Sequence, residues 1–408
     1  LKPGKLPPEH QGAFFVQNVS AFFMKLDVTV LLYPDRKVPD KRLVAWEERH
    51  RAFIHIPAVS RIQTVENGWT NRRGDGMKVD FHVHLEEGPY SLDWLVGQAC
   101  ALRPLLDEKQ ESGSRGWAHE LVKGLAHRLQ RGPYSREWLD LYRARAKQAG
   151  ISQVCVVEHL YRFADFRPYY EQFIHVGHDR LGKAQRQWLG QMANDSLPAY
   201  VAFLAEERER WAEDGVALRI GIELDYFPGG EGELREVIEK YPWDVCMGAV
   251  HFPGGKGYLV RNLQEQLEVH ASPGWFVRYF DVVEQAIDSG LFDVLTHLDG
   301  VRAFGPKADE MTLLPYYQRI ARALRRMDTA TELNTACVRG QTQREFSPSY
   351  RFLQILAQHE VPITLSSHAT APDQVGQHLA EARMQLRRAG YASLAVFADR
   401  KRSLMEIE

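Results

Sequence analysis

The sequence predicts an α/β fold and, within that class, a barrel of seven parallel strands. Three observations carry this. Apolar, β-branched runs fall near 79–84, 152–158, 218–224, 244–251, 292–297, 330–335 and 362–367, with amphipathic stretches such as Ser135–Ala149, Tyr200–Asp214 and Trp275–Ser289 between them. Four of the helical stretches stop at a glycine just before the next run, at Gly150, Gly215, Gly290 and Gly390. Glycine suits the left-handed residue that ends a helix, where a side chain would clash. Finally, polar residues cluster where the apolar runs end: His84, Glu158 and His159, Glu223, His251, His297, Asn334 and His368. Parallel barrels gather their chemistry at the C-terminal ends of their strands, so this placement favours a barrel over an open sheet.

The elements follow in order. Residues 1–76 contain Pro3, Pro7, Pro8, Pro34, Pro39 and Pro57 and hold no sustained period, so they read as an N-terminal appendage. The barrel domain is expected over 77–408, with Met77 just ahead of the first chemical strand. The roughly 67 residues between strands one and two exceed an ordinary crossover. Gly-Pro-Tyr-Ser occurs there at 88–91 and 132–135, each time before a helical stretch, and Ser135 is a plausible N-cap. The segment is expected to be a helical insertion that roofs the mouth of the barrel. The stretch from Phe163 to Leu197, rich in aromatics, His and Arg, would add to the same lid.

Composition narrows the function. The 408 residues, 44% apolar and 25% charged, suit one large barrel or two ordinary domains. A formal net charge of −2 gives no basic field for nucleic acid, which points to a small-molecule substrate. Cys100, Cys155, Cys246 and Cys337 lack C-x-x-C spacing and read as buried, reduced thiols of a cytoplasmic protein. The apolar stretch from Ala13 to Tyr33 is broken by Gln17, Asn18, Lys25 and Asp27, too polar to span a bilayer.

The first strand is the most informative. In Asp80-Phe81-His82-Val83-His84 the two histidines lie two residues apart, so both imidazoles face one side, with Asp80 behind them. Neutral imidazole is the commonest protein metal ligand, and two converging ones begin a metal site. Alone the pair would be weak; three further runs ending in His or Glu strengthen it. Glu223 is the natural bridge, because a carboxylate can hold two cations where an imidazole cannot. Its alternative role is an ion-pair partner at the barrel mouth. His251, His297 and His159 each follow a buried run, and each could instead be a core histidine with a satisfied partner, Glu158 in the case of His159. Arg302 and Arg339, near the same mouth, would suit a phosphate, or could be surface cations. The glycines at 228–230 and 253–257 read as turns, without the spacing of a nucleotide loop. No G-x-S-x-G or Cys–His pair offers a covalent nucleophile, which leaves a metal-activated hydroxide as the expected one.

At these residues the chain resembles the PHP family, named for polymerase and histidinol phosphatase, and within it the histidinol-phosphatase branch. The matching pieces are Asp80-Phe-His82-Val-His84, Glu158-His159, Gly221-Ile-Glu223-Leu-Asp-Tyr, Ala249-Val-His251-Phe, Thr296-His297-Leu-Asp, Glu332-Leu-Asn334-Thr335 and Ile363-Thr-Leu-Ser-Ser, in family order. The resemblance implies a distorted (βα)7 TIM-like barrel holding two or three divalent ions, usually zinc, manganese or iron. It also implies that His82 and His84 bind one metal, that Glu223 bridges, that His251 and His297 hold a second, and that His159 serves a third. The chain departs from the family twice. Leu85-Glu86-Glu87-Gly88 stands where a further histidine is usual, and His368-Ala369-Thr370 replaces Asp-x-His, so His368 is expected as a ligand in place of aspartate.

The expected function is a metal-dependent phosphomonoesterase acting on a small phosphorylated metabolite, histidinol phosphate or that of a close paralogue, with Arg302 and Arg339 on the phosphate. Two alternatives compete. A PHP-like module that binds a metabolite without turnover would explain the altered closing motif. An amidohydrolase-type barrel cleaving C–N bonds also opens with H-x-H, but would want a lysine bridge and a closing aspartate.

Overall fold

The computed structural model describes residues 78–88, 90–107, 112–257, 273–300, 302, 309–339 and 345–407. The expected appendage, 1–76, lies outside the described residues.

Seven parallel strands form one sheet in sequence order: β1 (Lys78–Val83), β2 (Ile151–His159), β3 (Ala217–Asp225), β4 (Val245–Ala249), β5 (Val294–Leu295), β6 (Ala330–Asn334) and β7 (Ile363–Ser366). Their near-continuous burial is what a parallel sheet covered on both faces requires. The ring is nearly closed between β1 and the segment after β7. Val83 bridges Ala369 in parallel, and the His84 amide donates to the Ala369 carbonyl at 2.7 Å. Asp80 seals the seam from below, accepting bonds from the Ser367 amide (2.8 Å), the Ser367 hydroxyl (2.6 Å) and the Gly376 amide (3.0 Å).

The helices fall where periodicity and the glycine stops place them. Between β1 and β2 lie α1 (Leu92–Asp107), α2 (Arg115–Arg131) and α3 (Arg136–Gln148), which confirms a helical insertion. Then come α4 (Arg167–Phe173), α5 (Arg180–Met192) and α6 (Leu197–Glu213) before β3, and α7 (Glu231–Lys240) before β4. The later crossovers carry α8 (Pro273–Asp288), α9 (Glu310–Met327), α10 (Tyr350–Gln358) and α11 (Leu379–Ala389). Gly150, Gly215, Gly290 and Gly390 all have positive φ, the conformation that called for glycine. Ser135 occupies the N-cap of α3, although its side chain makes no cap hydrogen bond. Among the described residues no helix is long and apolar enough to cross a membrane.

Three features differ from expectation. β5 is only two residues long, against an expected run over 292–297, because His297 turns left-handed at φ 52° while Thr296 still bonds the Gly248 carbonyl. The chain ends in an antiparallel hairpin, β8 (Ser393–Ala398) with β9 (Lys401–Glu406), which sequence periodicity did not separate from the barrel. Its turn lies at the strand-starting end: the Asp399 and Arg400 amides bond Asp244, just ahead of β4, and the Arg400 side chain pairs with Asp293, just ahead of β5. Finally, all four cysteines are free, as expected, but only Cys155 and Cys246 are buried, with Cys100 exposed and Cys337 half-buried.

The insertion is fastened to the outgoing end of β1. Trp138 and Tyr142 of α3 donate to the carbonyls of Leu85 (2.9 Å) and His84 (3.0 Å). Arg128 of α2, packed over the Trp138 ring, pairs with Glu86 at 2.5 Å, and Arg162 approaches the same carboxylate at 3.4 Å. Burial opposes the charge on Glu86, but the two guanidinium groups outweigh it and hold its carboxyl below the usual carboxylate range. A lowered folded-state pKa gives stability that is present above the unfolded value of about 4.3 and lost as the pH falls through the folded one. Glu86→Gln is therefore expected to lose about 3 kcal/mol of stability at neutral pH, because it strands the buried Arg128 guanidinium, whereas Arg162 keeps Asp195. The deficit should shrink on acidification below about pH 4. Chemical denaturation at both pH values reads this, and an equal deficit at both would count against the pairing.

Candidate metal centre

Glu223 stands at the centre of the mouth. It lies near the end of β3 and is almost wholly buried. Two residues earlier on the same face, Gly221 has no room for a side chain: a Cβ there would lie 2.9 Å from Val157. The interior is thus packed solid beneath the carboxylate, and polar groups collect above it.

Five imidazoles from four strand ends surround Glu223, two of them from β1. On Oε2 are His82 Nε2 at 3.1 Å, His84 Nε2 at 3.7 Å and His159 Nδ1 at 2.8 Å. On Oε1 are His251 Nε2 at 3.5 Å and His297 Nε2 at 3.3 Å. The Thr296 hydroxyl also donates to Oε1, at 3.2 Å. His368 joins the cluster from the loop after β7, with its ring centre 4.6 Å from that of His82 and 4.8 Å from that of His84. Both His297 and His368 adopt left-handed backbone conformations, φ 52° and 49°, unusual for non-glycine residues and frequent at functional sites.

Electrostatics separate these groups. Burial works against the Glu223 charge, yet His159 and His82 hold its carboxyl well below the usual range. His84 and His368 are driven well down, first by burial and then by the neighbouring imidazoles, so both are neutral, the form that binds metals. Against burial, the carboxylates of Glu332 and Glu223 raise His82 to about 10, and Glu332 itself falls to about 2. Both ring nitrogens of His84 and Nε2 of His368 are among the buried imidazole nitrogens that form no hydrogen bond. Buried polar atoms are nearly always satisfied, and a cation would satisfy these. Imidazoles, which bind metals in their neutral form, around an ionised carboxylate are a donor set that suits zinc, manganese or iron.

Among the described residues, two groups of four could each touch one ion: His82, Glu223, His297 and His368; and His84, His159, Glu223 and His368. Sorting by nearest Glu223 oxygen gives a different partition, with His82, His84 and His159 on one side. Mutual reach is the stricter test, because a cation must contact all its ligands at once. On that test His82 and His84 belong to different groups, whereas the family resemblance pairs them.

Several participants escaped the reading of the sequence. Glu332 holds His82 Nδ1 at 3.0 Å and lies 3.4 Å from His297 Nδ1, and Ser366 anchors it at 2.7 Å. Asp225 holds His251 Nδ1 at 2.8 Å and is itself fixed by the Tyr170 hydroxyl at 2.7 Å. Strand alternation was the available signal: Glu332 shares a face with Asn334, and Asp225 with Glu223. Glu158 does not pair with His159. It accepts from the Leu85 amide at 2.7 Å and sits 4.0 Å from His84 Nδ1, with burial raising its carboxyl to about 8. Just after β2 the Tyr161 ring stacks on His159 at 4.5 Å, and Trp188 of the following crossover packs against Tyr161 at 4.9 Å.

The two arginines are engaged by protein groups. Arg302 bonds Asp299 at 2.9 Å, and Asp299 also accepts from Ser347 and Ser349. Arg339 donates to the carbonyls of Ser367 and His368, which fixes the loop that carries His368. Thr370 bonds Gln374 through both its amide and its hydroxyl.

Comparison with known proteins agrees with this geometry. The family model for the PHP domain matches residues 135–336. A probable histidinol-phosphatase of Deinococcus radiodurans is 29% identical over 206 residues, covering 49% of this chain and 75% of that protein. A histidinol-phosphatase of Lactococcus lactis is 24% identical over 200 residues, 46% of this chain and 71% of its own. The crystal structure of histidinol phosphate phosphatase from Lactococcus lactis, complexed with zinc, L-histidinol and phosphate, shares the fold at a TM-score of 0.50 and 18% identity, over 80% of this chain and 98% of that one.

The orienting carboxylates give a test. Glu332→Gln keeps the shape but removes the charge that aims His82 and His297. It is expected to weaken metal binding about 10–100-fold, as outer-shell changes do. Competition against a chromophoric chelator measures this, and unchanged affinity would exclude Glu332 from the role.

Proposed function

Because the chain belongs to the PHP domain family, we propose that it is a metal-dependent phosphomonoesterase whose substrate is histidinol phosphate or a closely similar amino-alcohol phosphate. The observation that carries the reading is the convergence of five strand-end imidazoles on one buried carboxylate. The curated relatives, both described as histidinol-phosphatases, supply the substrate class. The enzyme is proposed to work in the reducing cytoplasm, in keeping with its free cysteines.

Divalent ions held there would lower the pKa of a coordinated water and neutralise charge on phosphoryl oxygens. The chain's own groups prepare that setting. Glu223 would bridge the ions, with His82, His84, His159, His251, His297 and His368 available as ligands around it. Glu332 and Asp225 keep the proton on the Nδ1 of His82 and His251, which aims the lone pair of each Nε2 inward. Arg339 holds the His368 loop, and a turn of the Arg302 side chain away from Asp299 would present a guanidinium to phosphate. The Tyr161 wall and the anchored insertion limit water beside the reacting groups.

Treatment with a chelator is expected to abolish phosphate release from histidinol phosphate, and Mn²⁺ or Zn²⁺ to restore it. Glu223→Gln should lower the rate by more than about a hundredfold, beyond the effect typical of outer-shell partners. Full activity in the chelated protein or in Glu223→Gln would end the metallophosphatase reading. Metal-dependent binding of the substrate without turnover would favour a regulatory module, a reading that the His368 and Thr370 replacements support. The barrel is proposed to begin at Met77. Protein starting there should fold cooperatively and keep its activity, and loss of solubility would assign residues 1–76 to the fold.

A further inference from the structure

The two possible ligand groups overlap in two residues, Glu223 and His368. The carboxylate has two oxygens and can serve both sides. The imidazole cannot. Its Nε2 is buried without a hydrogen bond and carries a single lone pair. Use of both ring nitrogens would set the cations across the width of the ring, farther apart than the about 3.5–4 Å that a carboxylate bridge permits. His368 therefore completes one group and leaves the other short. Its ring stands edge-on and almost equidistant from His82 and His84, at 4.6 and 4.8 Å, so position alone does not decide which.

Orientation decides it. In the first group Glu332 lies beside Nδ1 of both His82 (3.0 Å) and His297 (3.4 Å), and so aims both Nε2 atoms at Glu223. In the second group the corresponding contacts are loose: His84 Nδ1 lies 4.0 Å from Glu158, and His159 Nε2 lies 4.0 Å from Glu87. A cation entering the first group finds its ligands already aimed, whereas one entering the second must order them. We infer that His368 closes the His82–Glu223–His297 group and leaves the His84–His159–Glu223 group with three protein ligands, so that the protein binds one cation tightly and a second weakly. The inequality is a property of this chain's histidine: a carboxylate at position 368 would offer two oxygens and could reach both cations. Arg339, by gripping the Ser367 and His368 carbonyls, keeps the ring between the two groups.

The inference rests on the metal-dependent reading above, but its readout is affinity rather than turnover. Protein stripped with a chelator is titrated with Zn²⁺ by calorimetry and with Co²⁺ by visible absorption. Two equivalents are expected, with dissociation constants at least about tenfold apart, the scale on which one supporting group changes metal affinity. His368→Ala should weaken the tighter equivalent at least about tenfold and move the weaker by less than about threefold. His368→Asp, which keeps a ligand and guards against a folding failure in the alanine variant, should bring the two constants together. Equal constants in the unaltered protein, both constants unchanged in His368→Ala, or an unchanged gap in His368→Asp would each overturn the inference. Unequal affinities without phosphate release would defeat the substrate assignment alone, and equal affinities with phosphate release would defeat this inference alone.

Discussion

The structure depends on one buried negative charge. Glu223 is 1% exposed, and an ionised carboxylate in such a place costs several kcal/mol unless positive charge meets it. No lysine or arginine forms a described ion pair with it; its partners are imidazoles. Imidazoles can supply the missing charge by taking up protons or by presenting cations. Crowding sets the balance between these, since His84 and His368 are held neutral by burial and by their neighbours. His82, raised to about 10, meets the Glu223 and Glu332 carboxylates with a proton, while His84 and His368 stay neutral, and divalent ions bound by the neutral rings would add further positive charge.

The rest of the barrel keeps those imidazoles in register. The imidazoles come from four strand ends and the loop after β7, so small slips between strands would scatter them. Asp80 ties β1 to Ser367 and Gly376, next to the loop that carries His368. Trp138 and Tyr142 hold the His84 and Leu85 carbonyls from the insertion. At the opposite end the C-terminal hairpin bonds Asp244 and Asp293, just ahead of β4 and β5. The same residues that close the ring thus fix the distances on which metal binding depends, so stability and activity share one set of contacts.

Much of this was legible in the sequence because both signals are short-range. Strand runs and glycine stops placed the seven strands, and the histidines that end them converge as their positions suggested. The outer carboxylates were harder to find. Glu332 and Asp225 were visible as residues on inward faces, but their roles depend on which imidazole nitrogen each meets across the barrel, a contact 250 residues distant in the case of Glu332 and His82. Arg339, expected at phosphate, also grips two backbone carbonyls, which no spacing rule anticipates. The terminal hairpin was missed for a related reason: β9 is largely exposed, so it lacks the buried run by which the barrel strands were recognised.

Glu223 is proposed to bridge two cations held by strand-end histidines. Anomalous X-ray diffraction at the zinc edge from crystals grown with Zn²⁺ tests it most directly. The account predicts two peaks about 3.5–4 Å apart, the separation of a carboxylate-bridged pair, each within bonding distance of a different Glu223 oxygen. A single peak that leaves Glu223 uncoordinated, or zinc found only away from the barrel mouth, would contradict it.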